Sequence, residues 1–223
     1  MNFTYLLLAL AMLVVPVMLL FVKKIGFIRM IKPAIPAVLI TGLVFSIIAA
    51  ILVLMGAWNF HPAYLTGVFL WKVPVEEFLF SMTVSLAGIG VYATLNTFFP
   101  NNALDKFSLS FSNLLMGIGV AMLIFTYTKW YSAASFGILF LLIFYIEYLN
   151  KLRFMYRFYR SFLVSLVLFY VAYGVISTLP IISYTDVINL KLGAIPFESH
   201  FYFMGMLLMS IYLFELFKSK AKA

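Results

Sequence analysis

Seven stretches of about twenty mostly apolar residues follow one another along this chain of 223 residues. An α-helix needs about 20 such residues to cross the hydrocarbon core of a bilayer. Helices are expected because they satisfy all their backbone hydrogen bonds within one segment, which lipid requires. Each stretch is therefore predicted to be a membrane-spanning helix. The seven stretches are roughly 3–22, 34–56, 75–98, 108–128, 131–149, 161–179 and 195–217.

The composition agrees with this pattern. Apolar residues make up 65% of the chain and charged residues 10%, whereas soluble domains have about 45–50% and about 25%. We expect an all-α, multi-pass protein of the cell membrane that contacts lipid. The chain has no cysteine, which excludes disulfides, thiolate metal sites and a cysteine nucleophile. The formal charge of +8 does not indicate nucleic-acid binding, because the charges are dispersed in short loops between the spans.

The loop charges predict an orientation. Of the fifteen Lys and Arg residues, only Lys72, Lys129 and Lys191 fall in outside loops if the N-terminus lies outside. Cytoplasmic loops carry an excess of Lys and Arg in membrane proteins. The sequence therefore predicts an outside N-terminus, an inside C-terminus and an odd number of spans. At the inside ends, Glu147 and Glu215 lie near Lys151, Arg153 and Lys218, and we predict interfacial ion pairs there.

A short motif occurs twice. The segment "VPVEEFLFSM" (73–82) aligns without gaps on "IPFESHFYFM" (195–204), so that Pro74 matches Pro196 and Glu76 matches Glu198. Each motif opens the third span of a three-span unit, and the fourth span restores the orientation between the units. We predict two parallel three-helix repeats, at 1–100 and 131–223, joined by a linker helix at 101–130. Such repeats commonly place a functional site where they meet.

Three glutamates lie at the outer end of the predicted bundle. Glu76 and Glu77 follow Pro74, and Glu198 follows Pro196, so each motif is also a favourable helix start. Simple capping is therefore the alternative interpretation, particularly for Glu77. The repeated placement of Glu76 and Glu198 favours a functional role, because ionisable residues at membrane depth are usually functional.

The chemistry that these residues permit is proton transfer. Paired carboxyl groups in an apolar pocket can act as acid and base, because burial favours the neutral form of one of them. Aromatic faces stabilise cations, although an interfacial aromatic belt is the alternative for most rings here. No histidine or acidic spacing typical of a metal site is present, and no cofactor is expected. The candidate substrate-binding residues at this end are Trp71, Phe80, Phe197, His200 and Tyr202.

The Pro-Val-Glu-Glu start of the third span and the later Pro-x-Glu followed by aromatic residues resemble the non-flavin lycopene cyclases. In that family, two related three-helix halves occur as separate subunits or fused into one chain, and the resemblance covers essentially the whole sequence. It implies cyclisation of the linear ψ-ends of lycopene to β-ionone rings, giving β-carotene via γ-carotene, without a cofactor. It also implies that the carotenoid comes from the bilayer.

The resemblance assigns Glu76 and Glu198 as the leading acid/base pair and Glu77 as a third candidate. Ser199 stands where the first motif has Glu77, so the halves are not equivalent and one composite site is expected. Three alternatives stay open: a cyclase for another linear carotenoid or another ring type, a non-catalytic carotenoid-binding membrane protein, and a small transporter. Assembly with further copies or with other carotenoid enzymes also stays open.

Overall fold

A computed structural model describes residues 3–101, 105–150 and 152–221. In these residues, six helical segments are long and apolar enough to cross a membrane. A 3₁₀ turn at Asp105–Phe107 precedes the third of these segments, and the fourth continues into a π-helical turn at Tyr145–Leu149. The six helices are α3 (Phe27–Leu54), α4 (Val75–Phe98), α5 (Ser108–Phe125), α6 (Trp130–Phe144), α7 (Met155–Thr178) and α8 (Phe197–Lys220).

The first predicted span is divided into two short helices, α1 (Thr4–Ala11) and α2 (Val14–Leu20). The division lies at Met12, four residues before Pro16. Proline has no N–H to donate to the carbonyl group four residues earlier, and its ring clashes with that group. This apolar segment, Thr4–Leu20, is shorter than the other six. The count of seven membrane-spanning helices therefore stays a prediction.

Two helices begin earlier than the apolar stretches indicated. Helix α3 starts at Phe27 and α7 starts at Met155, instead of near 34 and 161. The added turns carry basic residues, among them Arg29 and Arg157. A hydropathy boundary stops at such residues, whereas a helix can continue past the hydrocarbon core into the headgroup region.

Helices α4 and α8 form the centre of the bundle. They pack against each other, and both contact α3 and α7. The contact between α4 and α8 is close at Gly88, where an added Cβ atom would lie 2.1 Å from Cδ1 of Leu207. A similar approach joins α3 to α4, where a Cβ atom on Gly42 would lie 2.6 Å from Met82. Small residues thus bring the two motif-bearing helices together, as is common in membrane proteins.

Short antiparallel strand pairs cover one end of the bundle. A hairpin of β2 and β3 precedes α4, and a hairpin of β5 and β6 precedes α8. The strand β1 from the loop after α3 pairs with β4 from the loop after α7. This pairing brings the N-termini of α4 and α8 to the same end of the bundle. The strands are β1 (Trp58–Phe60), β2 (Phe69–Leu70), β3 (Val73–Pro74), β4 (Ile182–Tyr184), β5 (Lys191–Leu192) and β6 (Ile195–Pro196).

The two ion pairs predicted at the other end are present. Arg153 lies 3.8 Å from Glu147, and Lys218 lies 3.3 Å from Glu215; Lys151 is outside the described residues. Glu147 has a further role that the sequence did not indicate. It is buried and accepts a hydrogen bond of 2.5 Å from the Ser112 hydroxyl. Ser112 lies on α5, so this bond ties α5 to the end of α6.

Candidate active site

Helices α4 and α8 begin with the same local structure. The N–H of Val75 donates to the carbonyl of Val68 (3.1 Å), and the N–H of Phe197 donates to the carbonyl of Leu190 (2.9 Å). In both cases a two-residue strand ends in proline immediately before the first helical residue. The aligned motifs therefore place their glutamates in equivalent positions, in the first turn of a central helix.

Glu76 and Glu198 make equivalent hydrogen bonds to the loops that lead into their own hairpins. Oε1 of Glu76 accepts from the N–H of Thr66 (2.5 Å), and Oε1 of Glu198 accepts from the N–H of Ile188 (2.6 Å). Each donor lies ten residues before its glutamate. Glu198 also accepts from the Ser132 hydroxyl (2.8 Å) on α6. One oxygen of each carboxyl group thus has a structural role.

The second oxygen of each of these two groups has a different environment. Oε2 of Glu76 and Oε2 of Glu198 are buried and make no hydrogen bond to any described residue. The side chains are almost inaccessible, at 1% exposure for Glu76 and 0% for Glu198. Buried polar atoms without a partner are rare and call for an explanation such as a catalytic role. Each motif therefore presents one unpaired, water-shielded carboxyl oxygen.

Glu77 lies among aromatic side chains. It is 4% exposed, and its Oε2 accepts a hydrogen bond from the hydroxyl of Tyr5 on α1. The ring of Tyr5 lies 5.5 Å from that of Phe80 and 6.5 Å from that of Phe60. Tyr173 on α7 packs against Phe80 at 5.9 Å. Glu77 is therefore held at a junction of α1, α4 and α7.

Trp58 on β1 joins this group to a second set of tyrosines. Its ring lies 5.2 Å from Tyr131, 5.9 Å from Tyr184 and 5.7 Å from Tyr202. The hydroxyl of Tyr131 donates to Oγ of Ser199 (2.9 Å), the residue that corresponds to Glu77 in the second motif. We call this set the aromatic chamber. Its members are Tyr5, Trp58, Phe80, Tyr131, Tyr173, Tyr184 and Tyr202.

Tyr184 connects the two halves electrostatically. It lies in β4, outside the spanning helices, and its side chain is partly buried against the core. Burial raises the pKa of its hydroxyl, and the nearby carboxyl groups of Glu77 and Glu198 raise it further. Glu77 belongs to the first motif and Glu198 to the second. One aromatic chamber is thus within reach of acids from both repeats.

The predicted substrate-binding residues lie in three places. Phe80 and Tyr202 are members of the aromatic chamber. Trp71 is at the tip of the first hairpin, is 83% exposed and has a positive φ of 48°; it does not line the chamber. Phe197 and His200 lie on another face of α8, as described next.

His200 is fixed by hydrogen bonds away from the chamber. Its Nε2 lies 3.0 Å from the hydroxyl of Tyr170, and its Nδ1 lies 3.1 Å from the carbonyl of Phe197. The ring of Phe197 packs against Phe136 and Phe201. His200 thus contacts α7, whereas Phe197 contacts α6.

Sequence reasoning did not select five members of the chamber as substrate-binding residues, namely Trp58 and the tyrosines Tyr5, Tyr131, Tyr173 and Tyr184. Each lies near the outer end of a predicted span, where tyrosine is also expected in an interfacial belt. The sequence does show that many aromatic residues lie at this end of the bundle. It does not show which of these rings face inward and which face lipid. Within the described residues, no three acidic or histidine side chains gather where they could share a metal ion.

Comparison with known families gives a match at both halves. The family model for lycopene cyclase matches residues 2–95 and residues 128–217. The chain belongs to the lycopene cyclase family. The two matches agree with a non-flavin lycopene cyclase that carries two related domains in one chain, and the predicted resemblance is confirmed. Searches among curated proteins and among solved structures gave no match.

Membership of the lycopene cyclase family implies an enzyme that acts on carotenoids. The matched segments contain both glutamate motifs and all seven residues of the aromatic chamber. Helix α5 falls between the two matched segments. The candidate site is therefore built from the two parts of the chain that the family model describes.

Proposed function

We propose that this lycopene cyclase is a β-cyclase, an isomerase that closes the linear ψ-ends of lycopene into β-ionone rings without a cofactor. The product is β-carotene, formed through γ-carotene, in the cell membrane. The observation that carries the proposal is the burial of three carboxyl groups, from both motifs, beside the packed rings of the aromatic chamber. In this proposal the first apolar segment completes a seven-helix bundle with its N-terminus outside.

The reaction needs one proton to be given and one to be taken. An acid adds a proton at C2 of the ψ-end, which leaves a tertiary cation at C1. The C5=C6 double bond attacks this cation and forms the ring. A base then removes the proton from C6, so the product has the same atoms as the substrate. No electron is gained or lost.

We assign Glu76 and Glu198 as the leading acid/base pair, with Glu77 as the third candidate. The unpaired Oε2 atoms of Glu76 and Glu198 support this assignment, because a transferable proton can reside on an oxygen that no other group uses. The contact of Glu77 with Tyr5 supports its inclusion, since it places a carboxyl group beside the rings that would surround the cation. Carboxyl groups in different environments are suited to opposite proton-transfer roles.

The aromatic chamber has the properties that the intermediate needs. A cation over an aromatic face is stabilised by about 2 kcal/mol or more when water is excluded. Trp58, Tyr131 and Phe80 are each at most 2% exposed. Exclusion of water also protects the cation from capture as an alcohol.

The site is proposed to be composite, with the repeats at 1–100 and 131–223 joined by the linker at 101–130. The first repeat supplies Glu76 and Glu77, and the second supplies Glu198 and Ser199. Each end of lycopene would enter this chamber in turn. The β1–β4 pairing supports this arrangement, because it joins the corresponding loops of the two halves.

Expression in a lycopene-accumulating bacterium tests the proposal. We expect chromatography to show γ-carotene and β-carotene in cells that carry the chain and lycopene alone in cells with an empty vector. Unchanged lycopene in cells that contain the inserted protein would contradict the β-cyclase assignment. An ε-ring or γ-ring product would identify a cyclase that removes a different proton.

A non-catalytic carotenoid-binding protein is the second candidate. The observation in its favour is that Glu76 and Glu198 hold their own hairpins through Oε1. If this is their whole function, the protein will bind the carotenoid and return it unchanged. Pigment that copurifies with the chain as unaltered lycopene would support this candidate.

A further inference from the structure

A groove runs along the outside of the bundle between α5, α7 and α8. It consists of two cavities, of ≈300 Å³ and ≈330 Å³. Both cavities are lined by Phe111, Tyr159 and Leu163, so they adjoin each other along the bundle. Arg160 lines one end, and Leu192 and His200 line the other.

The position of the groove relates it to the candidate site. Leu192 belongs to the β5–β6 hairpin, and His200 lies two residues after Glu198. On α7 the lining extends from Tyr156 to Tyr170, which at 1.5 Å per residue is about 20 Å. The groove therefore leads across much of the bilayer to the level of the glutamates.

Aromatic rings connect the outer end of the groove to the chamber. The ring of His200 lies 4.7 Å from Phe169, and Phe169 lies 4.5 Å from Tyr173. Tyr173 is a member of the aromatic chamber and packs against Phe80. A small internal cavity of ≈10 Å³ lies between Phe169, Tyr173 and Gly88 on this path. Few side chains therefore separate the groove from the chamber.

We propose that this groove is the docking site for a linear carotenoid on its way from the bilayer to the aromatic chamber. The identity of the ligand rests on the proposed function. The end of the molecule would pass Phe169 between α7 and α8. Five of the eleven lining residues of the outer cavity are Phe or Tyr, which offer flat faces to a conjugated chain.

The charges at the groove favour an unsubstituted hydrocarbon over a phospholipid. A phospholipid in this position would need a cation for its phosphate group. Arg160 at the inner end donates to the carbonyl of Phe99 (2.6 Å) and to Oδ1 of Asn96 (2.8 Å), and its Nε is buried, so a phosphate group could not reach it. A linear carotenoid such as lycopene has no polar group and needs no such partner.

Spin labels on single cysteines test the docking site, because the chain has no cysteine of its own. Leu163 lines the groove and is 65% exposed; Val167, one turn further along α7, is 67% exposed and is not among the residues that line either cavity. We propose Leu163→Cys and Val167→Cys, each carrying a nitroxide, in the full chain in lipid nanodiscs. Lycopene should reduce the mobility of the label at 163 and leave the label at 167 unchanged.

A second measurement uses the activity. Leu163→Trp fills part of the groove, so at subsaturating lycopene its rate should fall at least about tenfold, equivalent to about 1.4 kcal/mol. Val167→Trp should retain the rate of the unmodified chain. Equal responses of the two labels to lycopene, or equal rates for the two tryptophan variants, would overturn the docking site. A response at 163 alone, in a protein that forms no ring, would refute the proposed function and leave the docking site standing.

Discussion

Substitution of Glu76 and Glu198 by glutamine separates their two roles. In each residue, Oε1 accepts a backbone N–H of the loop that leads into the preceding hairpin, and Oε2 is buried without a partner among the described residues. Glutamine retains an oxygen that can accept the N–H but cannot give or take a proton at neutral pH. Alanine removes both functions. The comparison of glutamine with alanine at one position therefore distinguishes catalysis from support of the hairpin.

The expected magnitudes differ enough to be resolved. A hydrogen bond to a charged group contributes about 1.5–3 kcal/mol and a neutral one about 0.5–1.5 kcal/mol. Glu76→Gln should therefore cost about 1 kcal/mol of stability, whereas Glu76→Ala also leaves the N–H of Thr66 without its partner, which costs about 1–3 kcal/mol. Loss of a general acid or base should lower the rate of cyclisation about 10²–10⁴-fold. We expect Glu198→Gln to behave in the same way.

The assay measures protein and product in the same cells. The amount of inserted protein is determined by immunoblotting of membranes, thermal unfolding is followed on the purified chain, and carotenoids are separated by chromatography. Glu215→Gln is the matched control, because Glu215 pairs with Lys218 at the opposite end of the bundle. We expect the control to cyclise lycopene normally.

The assignment would be refuted by one pattern of results. If Glu76→Gln and Glu198→Gln both retain near-normal turnover while the alanine variants lose stability, these residues only hold their hairpins. Glu77 would then be the remaining candidate among the three acids.

Three further predictions each concern a single residue. Tyr5→Phe removes the hydroxyl that donates to Glu77, so cyclisation should slow while the protein level stays the same; an unchanged rate would exclude a catalytic effect of this bond. Gly88→Leu adds a side chain whose Cβ atom alone would lie 2.1 Å from Leu207, so the amount of folded protein should fall severalfold in immunoblots. Normal accumulation would contradict the close packing of α4 on α8. A cysteine introduced at Lys191 should react with a membrane-impermeant maleimide in intact cells, and labelling only after permeabilisation would reverse the proposed orientation.

The sequence was sufficient for features that depend on hydrophobicity and on local chain geometry. Six of the seven apolar stretches are helices that can cross a membrane, and the motifs at Pro74 and Pro196 do begin helices. Hydropathy reports which residues tolerate lipid, and it does not report where a helix stops. For this reason α3 and α7 begin earlier than predicted. The break near Met12 was readable in principle from Pro16 but was not predicted.

The side-chain contacts of the candidate site could not be predicted from the sequence. The alignment of the motifs matched Glu76 with Glu198. Nothing in the local pattern indicated that the N–H groups of Thr66 and Ile188 would donate hydrogen bonds to these glutamates. These bonds depend on how each hairpin folds back over the helix start. Likewise, the contact of Tyr5 with Glu77 joins residues that are 72 positions apart.

The asymmetry of the site follows from the one position where the aligned motifs differ in charge. Glu76 and Glu198 are equivalent and hold equivalent hairpins, whereas Glu77 is replaced by Ser199 in the second half. Both positions receive a tyrosine hydroxyl, from Tyr5 and from Tyr131. Two separate symmetric sites would give the second half one carboxyl group and a hydroxyl, which is a poor base at neutral pH. A single chamber shared by both halves avoids this shortage, because acids from both repeats approach the same aromatic rings.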